Sequence, residues 1–308
     1  MDNTMLMLLE QLLNGLQYSA LLFLLSAGLT LVFGIMNVIN LTHGSFYMVG
    51  AFCAAAAVAK TGSFLAAILA ALVGAGLYGL VIELLVIRHL YRRDHLDQVL
   101  ATLGLALFTD ELVSVLFGRS PPFMSIPPAL SGSVHVLPGL PYPVMRLAFI
   151  AAGALVAVGL WWLISHTRVG MLVRAGADDG EMVDALGVNV QRLFTLIFSL
   201  GALLCGFAGV MAAPLLAIQI GMGERILITT FVVIVVGGVG SVRGALVGSL
   251  LIGMTDALGR AFIPTLTSMV LPPQLSDPLS ASLVSASIYI LMAIVLLFKP
   301  RGLVPARH

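Results

Sequence analysis

Nine apolar stretches, at 15–35, 43–60, 64–87, 97–117, 144–164, 193–216, 226–240, 244–262 and 281–298, most limit the folds open to this chain. Most approach the ~20 residues an α-helix needs to cross the hydrocarbon core of a bilayer. No water is available there, so each stretch must satisfy its own backbone N–H and C=O groups as a helix. Two places break the pattern. The polar interval from Gly34 to His43 is short enough to lie inside the membrane. Segments 226–240 and 244–262 are themselves short, separated by Gly237-Gly238-Val239-Gly240-Ser241-Val242-Arg243-Gly244. A broken helix is allowed at membrane depth only where protein or a water-filled cavity meets the freed backbone groups. The expected fold is an all-α polytopic membrane protein of eight to ten transmembrane helices, nine favoured, forming a single domain over 1–308.

Composition excludes the other broad classes. With 60% hydrophobic and 9% charged residues in 308, the chain is neither disordered nor an ordinary soluble protein. Its 32 glycines suit helices packed closely in lipid. Cys53 and Cys205 lie in apolar runs with no disulfide or metal spacing, which predicts simple burial. The N-terminus lacks the basic region of a signal peptide. Glu10, Gln11, Asn14 and Gln17 recur at helical spacing against Leu6, Leu9, Leu13 and Leu16, which predicts an interfacial helix leading into the first span.

Charge orients the bundle. With nine spans, one side collects Arg88, Arg92, Arg93, Arg168, Arg174, Arg192, Arg243, Lys299, Arg301 and Arg307. The other keeps Lys60, Arg119, Arg146, Arg225 and Arg260. This bias predicts an external N-terminus and a cytoplasmic C-terminus. On the cytoplasmic side falls the loop 165–192, SHTRVGMLVRAGADDGEMVDALGVNVQR. Asp178-x-x-Glu181 has the form of an N-cap with its capping-box acid, and Gly187 suits the C′ position. Met182, Ala185 and Leu186 share one face of the intervening turns. A capped cytoplasmic helix with an apolar face calls for a docking partner. The proline-rich connections, Gly118 to Tyr142 and Ile263 to Pro278, are expected as extended external loops.

The chain lacks the motifs of an enzyme. No G-x-x-x-x-G-K-[ST] loop is present, so ATP hydrolysis by this chain is not expected. H-E-x-x-H and G-x-S-x-G are also missing, and no residue set calls for a metal, a cofactor or nucleic acid. Among ionisable residues inside spans, Glu83 is expected to snorkel to the interface. Asp110 and Glu111 diverge by about 100° around a helix and cannot form one carboxylate pair. Functional and structural roles stay equally open for them. Asp256 and Arg260 are expected to pair one turn apart. The densest polar island is Asn37, Asn40, Thr42, His43 and Ser45 within GLTLVFGIMNVINLTHGSFYMVGAF. Such side chains either satisfy a broken helix or line a translocation path.

This island, with its asparagines and the His43-Gly44 step, resembles the signature of LivH-type permeases of branched-chain amino acid ABC importers. Leu186-Gly187-Val188-Asn189-Val190-Gln191-Arg192, the Gly201/Gly206/Gly209 helix, the 236–244 glycine run and Leu297-Phe298-Lys299-Pro300-Arg301-Gly302-Leu303 are also similar. The resemblance runs essentially end to end. It implies the ABC importer permease fold and alternating access, moving branched-chain amino acids across a bacterial inner membrane. It further implies a second, LivM-like permease, two ABC ATPases holding ATP and Mg, and a periplasmic substrate-binding protein. The Asp178–Gly187 stretch becomes the coupling helix, with Glu181, Met182, Val183, Ala185 and Leu186 at the ATPase groove. Asn37, Asn40, Thr42, His43 and Ser45 become the substrate path, and Gly237, Gly238, Gly240 and Gly244 the hinge. Urea or short amides remain an alternative cargo, and a stand-alone secondary transporter an alternative class.

Overall fold

The computed structural model describes residues 3–91, 93–137 and 140–305. Arg92, Arg307 and the side chain of Glu181, all used above, lie outside the described residues, as do 138–139 of the Gly118–Tyr142 connection. The helices are α1 (Asn3–Met36), α2 (His43–Thr61), α3 (Phe64–Ile82), α4 (Arg88–Leu90), α5 (His95–Phe117), α6 (Val144–His166), α7 (Arg168–Asp178), α8 (Gly180–Ala185), α9 (Val190–Ala212), α10 (Met222–Gly237), α11 (Val242–Val270) and α12 (Pro273–Phe298). Among the described residues, 8 helices are long and apolar enough to cross a membrane, with α3 and α4 forming one of them. The 16-residue α10 is about 24 Å long, shorter than the ~30 Å hydrocarbon core, and is not among these 8. Eight spans fall within the expected range of eight to ten, one fewer than the favoured nine.

The middle of α1 is the centre of the bundle. Leu21, Leu22, Leu24, Leu25 and Leu29 are all wholly or almost wholly buried, so the helix is covered on every side. It packs on α6, α9, α10 and α11, while α2 and α3 close the far side of α9. Lipid is as apolar as leucine, so these contacts depend on backbones approaching closely at small residues. A Cβ on Gly50 of α2 would come within 2.5 Å of the Gly206 Cα of α9. One on Gly28 of α1 would lie 3.0 Å from the Gly201 Cα.

Three local expectations are corrected. No separate interfacial helix precedes the first span, because α1 runs unbroken for 34 residues, about 51 Å. Its polar Asn14 accepts hydrogen bonds from Tyr142 (3.1 Å) and from Arg146, so it is held by protein rather than by the bilayer surface. The Gly118–Tyr142 connection ends in a small antiparallel hairpin, β1 (Ser133–Leu137) with β2 (Leu140–Pro143). The Ile263–Pro278 stretch is not one extended loop. α11 continues through Pro264, which removes a single N–H, and α12 begins at Pro273, where a missing N–H costs nothing.

Glu83 does not snorkel. Its side chain is fully buried, because the helix widens into a π turn over Glu83–Ile87. A π turn brings residues five apart together, and Arg88 donates to both Glu83 oxygens at 3.4 Å. The Tyr91 hydroxyl donates to Glu83 Oε1 at 2.6 Å and the Thr195 hydroxyl to Oε2 at 3.0 Å, tying the end of α3 to α9. Burial first, and then the Glu83 carboxylate, push the Tyr91 phenol well above its ordinary range, so it stays a donor. The Asp256–Arg260 pair forms as expected, at 2.7 Å.

Two predictions follow from this packing. Gly50→Leu should destabilise the α2–α9 contact by about 1–3 kcal/mol. Gly159→Leu, where no atom lies within 4 Å, should be near neutral; thermal unfolding in detergent compares the two. Arg88→Met strands a buried carboxylate and should cost up to about 3–5 kcal/mol, less what the half-exposed arginine already gives up to solvent. The double variant Glu83→Leu/Arg88→Met should recover most of that loss in the same measurement.

Candidate functional site

The chain leaves helical geometry inside the bundle between α1 and α2. Asn37 ends α1 in a left-handed conformation (φ 51°), a region that asparagine tolerates better than most residues. Its N–H donates to the Phe33 carbonyl at 2.9 Å, the αL form of a helix C-terminus. The next residues run beside α5. The Ile39 N–H donates to Gln98 Oε1 (3.2 Å) and the Leu41 N–H to Thr102 Oγ1 (3.1 Å). Thr42 donates its hydroxyl to the Thr102 carbonyl (2.9 Å) and its N–H to Asn40 Oδ1 (3.0 Å). Gln98 is anchored in turn by donating to the Leu90 and Arg93 carbonyls. Two α5 side chains one turn apart thus replace the helix bonds that the break forfeits.

His43 fixes the start of α2. Its Nε2 donates to the Leu25 carbonyl of α1 at 3.1 Å, which requires the proton on that nitrogen. The same atom lies 3.0 Å from Cys205 Sγ of α9. The ring fits because a Cβ on Gly28 would stand 3.1 Å from its Cε1. Beyond it, the first turns of α2 and α10 abut at Gly44 and Gly223, where neither backbone leaves room for a side chain. Two helix N-termini, each carrying partial positive charge, therefore meet inside the bundle. Asp110 of α5 approaches the turn before α10, with its Oδ2 3.7 Å from where a Gly221 Cβ would stand. Glu111 faces outward and makes only a loose 3.8 Å contact with Arg119.

The polar island is mostly sealed. Asn40, Thr42, His43 and Ser45 are at most 3% exposed. Asn37 alone is exposed, lining a cavity of about 770 Å³ at the end of the bundle that carries α7. The sealed members hold the break in this conformation. Gln98 and Thr102 were missed from the sequence. Their signal was polar residues at i, i+4 on the inward stripe of an apolar span.

The glycines expected as a hinge also pack tightly. Gly237 and Gly244 press backbone to backbone across the α10–α11 turn, and Gly238 (φ 111°) and Gly240 (φ 79°) shape it. The C-terminal segment joins them. Leu303 and Val304 donate their N–H groups to the Val236 and Gly237 carbonyls, both at 2.9 Å, meeting acceptors that the end of α10 leaves open.

The loop 165–192 forms two short helices hung between two capped spans. The Thr167 hydroxyl accepts from the Gly170 N–H at 3.1 Å, and the Asn189 side chain accepts from the Arg192 N–H at 2.9 Å. The N-cap of α8 is Asp179, not Asp178; its carboxylate accepts from the Met182 N–H at 2.9 Å. Asp178 instead closes α7, because the helix period carries through Ala177 before the chain turns extended at Asp179. Gly187 takes the left-handed C′ position (φ 86°). Its N–H donates to the Asp184 carbonyl (2.9 Å) and that of Val188 to the Val183 carbonyl (3.3 Å), a Schellman ending. Met182 (58% exposed) and Leu186 (76%) face outward together with Ala185. Val183 turns inward at 6% and is not part of that exposed face.

Residues 11–298 match the family described as the permease component of branched-chain amino acid transport systems. The chain belongs to this family. The high-affinity branched-chain amino acid transport system permease protein BraD of Pseudomonas aeruginosa is 30% identical over 309 residues, covering 96% of this chain and 95% of its own. The permease protein LivH of Escherichia coli K12 is 28% identical over 293 residues, covering 86% and 90%. The ribose import permease RbsC of the same organism is 26% identical over 262 residues, covering 80% and 77%. The chain is thus a multi-pass membrane permease of the branched-chain amino acid transport family.

Thr102→Val should leave the Leu41 N–H short of a partner and cost about 1–3 kcal/mol. Thr102→Ser should stay close to wild type. Thermal unfolding of the purified permease reads the difference.

Proposed function

We propose that this chain is one of two permease subunits in an ATP-driven importer of branched-chain, hydrophobic amino acids. Its partners are a LivM-like permease, two ABC ATPases that bind ATP and Mg, and a periplasmic substrate-binding protein. The assembly sits in a bacterial cytoplasmic (inner) membrane, with the N-terminus outside and the C-terminus inside. The observation that carries this reading is the α7–α8 turn. Capped at both ends, it presents Met182, Ala185 and Leu186 to a partner at the end of the bundle where Arg88, Arg174 and Arg243 also gather.

The proposed mechanism is alternating access. Closure of the ATPase pair pushes on α8, and the push reaches α6 and α9 through the caps at Thr167 and Asn189. Because α9 also holds His43 through Cys205 and Gly201, its tilt shifts the start of α2. Asn37 then borders the path on the cytoplasmic side, while Asn40, Thr42, His43 and Ser45 form the framework behind it. The tightly packed glycines 237, 238, 240 and 244 allow helices to slide without opening voids. The two helix N-termini at Gly44 and Gly223 suit a cargo bearing a carboxylate.

Met182→Cys, in a background lacking Cys53 and Cys205, should crosslink to a nucleotide-binding subunit in native membranes, with a yield that changes when ATP is added. Gly187→Val strains the left-handed position by about 1–2 kcal/mol and should lower transport-linked ATP hydrolysis. No adduct at Met182, with leucine uptake intact in the purified chain alone, would point to a secondary transporter.

A further inference from the structure

Two cavities on the flank of the bundle run into each other. The first, about 280 Å³, lies between α1, α6 and α11 and is walled by Phe23, Ala157, Val158, Trp161 and Leu246. The second is the cavity of about 770 Å³ at the coupling end, closed by α7, the α10–α11 turn and the C-terminal Val304 and Pro305. Ile164, Ser165, Val242 and Arg243 line both. The joined cleft therefore changes character along its length. Its upper part is apolar and opens between outward faces of two spans, where Val158 is 64% and Leu246 45% exposed. Its lower part holds two guanidinium groups, Arg174 and Arg243, against one carboxylate, Asp178.

Depth fits this division. Trp161 and Trp162, both half exposed in the last turns of α6, have the placement of an interfacial aromatic belt. Arg243 stands in the first turn of α11, beside the end of α6, and has no ion-pair partner among the described residues. Arg174 donates to the Ile164 carbonyl, which holds it at the mouth of the cleft. Thr30, whose buried hydroxyl has no hydrogen-bond partner among the described residues, contributes to the inner wall.

We propose that the joined cleft binds an anionic phospholipid of the surrounding bilayer, with an acyl chain along Val158, Trp161 and Leu246 and the phosphate against Arg243 and Arg174. A soluble anion would leave the apolar half empty. A zwitterionic lipid would leave the surplus positive charge unmet. Basic pockets between spans at the membrane surface recognise such headgroups. Since α7 and the C-terminal segment form part of the wall, the lipid would tie the attachment of the coupling turn to the adjoining leaflet.

The test places a benzophenone amino acid at Val158 in the permease extracted with whatever subunits remain bound, returned to phosphatidylcholine vesicles with or without phosphatidylglycerol. On irradiation, the expected adduct is a phospholipid, with phosphatidylglycerol taken in preference to phosphatidylcholine. Arg174→Gln and Arg243→Gln should each lower the phosphatidylglycerol adduct about fivefold, and Arg243→Lys should largely preserve it. Ala157→Trp, which fills the apolar half, should lower adducts of both lipids. A polypeptide adduct would make the cleft a subunit interface and overturn the proposal. Equal labelling by the two lipids, or phosphatidylglycerol labelling unchanged in the arginine variants, would overturn it as well.

Discussion

The arrangement rests on one requirement, that non-helical backbone inside a membrane protein must find its hydrogen bonds in the protein itself. Residues 37–42 meet it by lying along α5, where Gln98 and Thr102 accept from the Ile39 and Leu41 N–H groups. That pairing sets where α2 can begin. It brings His43 to the Leu25 carbonyl of α1 and to Cys205 of α9, so four helices meet at one crossing. The glycines around it follow from the same geometry. With a larger residue at Gly28, the histidine ring could not enter, and with one at Gly44, α10 could not close against α2.

Much of this was legible in the sequence, and the reasons for the gaps are physical. Apolar length located the eight spanning helices, because lipid permits nothing but a helix there. The polar island located the break, since no other run in an apolar region is so dense in hydrogen-bonding side chains. The partners of that break were not legible. Gln98 and Thr102 are some sixty residues away and meet it only through tertiary packing. The fate of Glu83 was hidden for a different reason. Snorkelling assumes an α-helix, and the π turn over Glu83–Ile87 changes which residues are neighbours. The cap at Asp179 was misplaced by one residue because adjacent aspartates are equivalent to any pattern; backbone torsion decides between them. The island was located correctly, yet the sequence could not say which side of the helices its residues would face. Four of the five turn inward.

The end of the bundle that carries α7 and α8 is also where the chain concentrates its polar bonding. The Glu83–Arg88–Tyr91–Thr195 cluster ties α3 to α9 close to the point where α9 leaves the α7–α8 turn. Capped helix ends at Thr167, Asp179, Gly187 and Asn189 leave few loose joints between the exposed Met182–Leu186 face and the spans. A displacement applied there is passed on by rigid pieces instead of being absorbed by a floppy loop. At the opposite end, the hairpin and the Asn14 contacts with Tyr142 and Arg146 hold α1 and α6 together.

The C-terminal segment has a bearing on the order in which the chain can fold. The last turn of α10 offers carbonyls at Val236 and Gly237 whose partners, Leu303 and Val304, are made only after α11 and α12. As the polypeptide leaves the ribosome, α10 is made while those acceptors still lack their partners. The α10–α11 corner stays unlatched until synthesis is nearly complete. This short helix is thus the last to be locked, and the C-terminal segment that locks it also packs against Gly238 and Gly244. Assembly of this permease therefore finishes at the α10–α11 corner rather than at its centre.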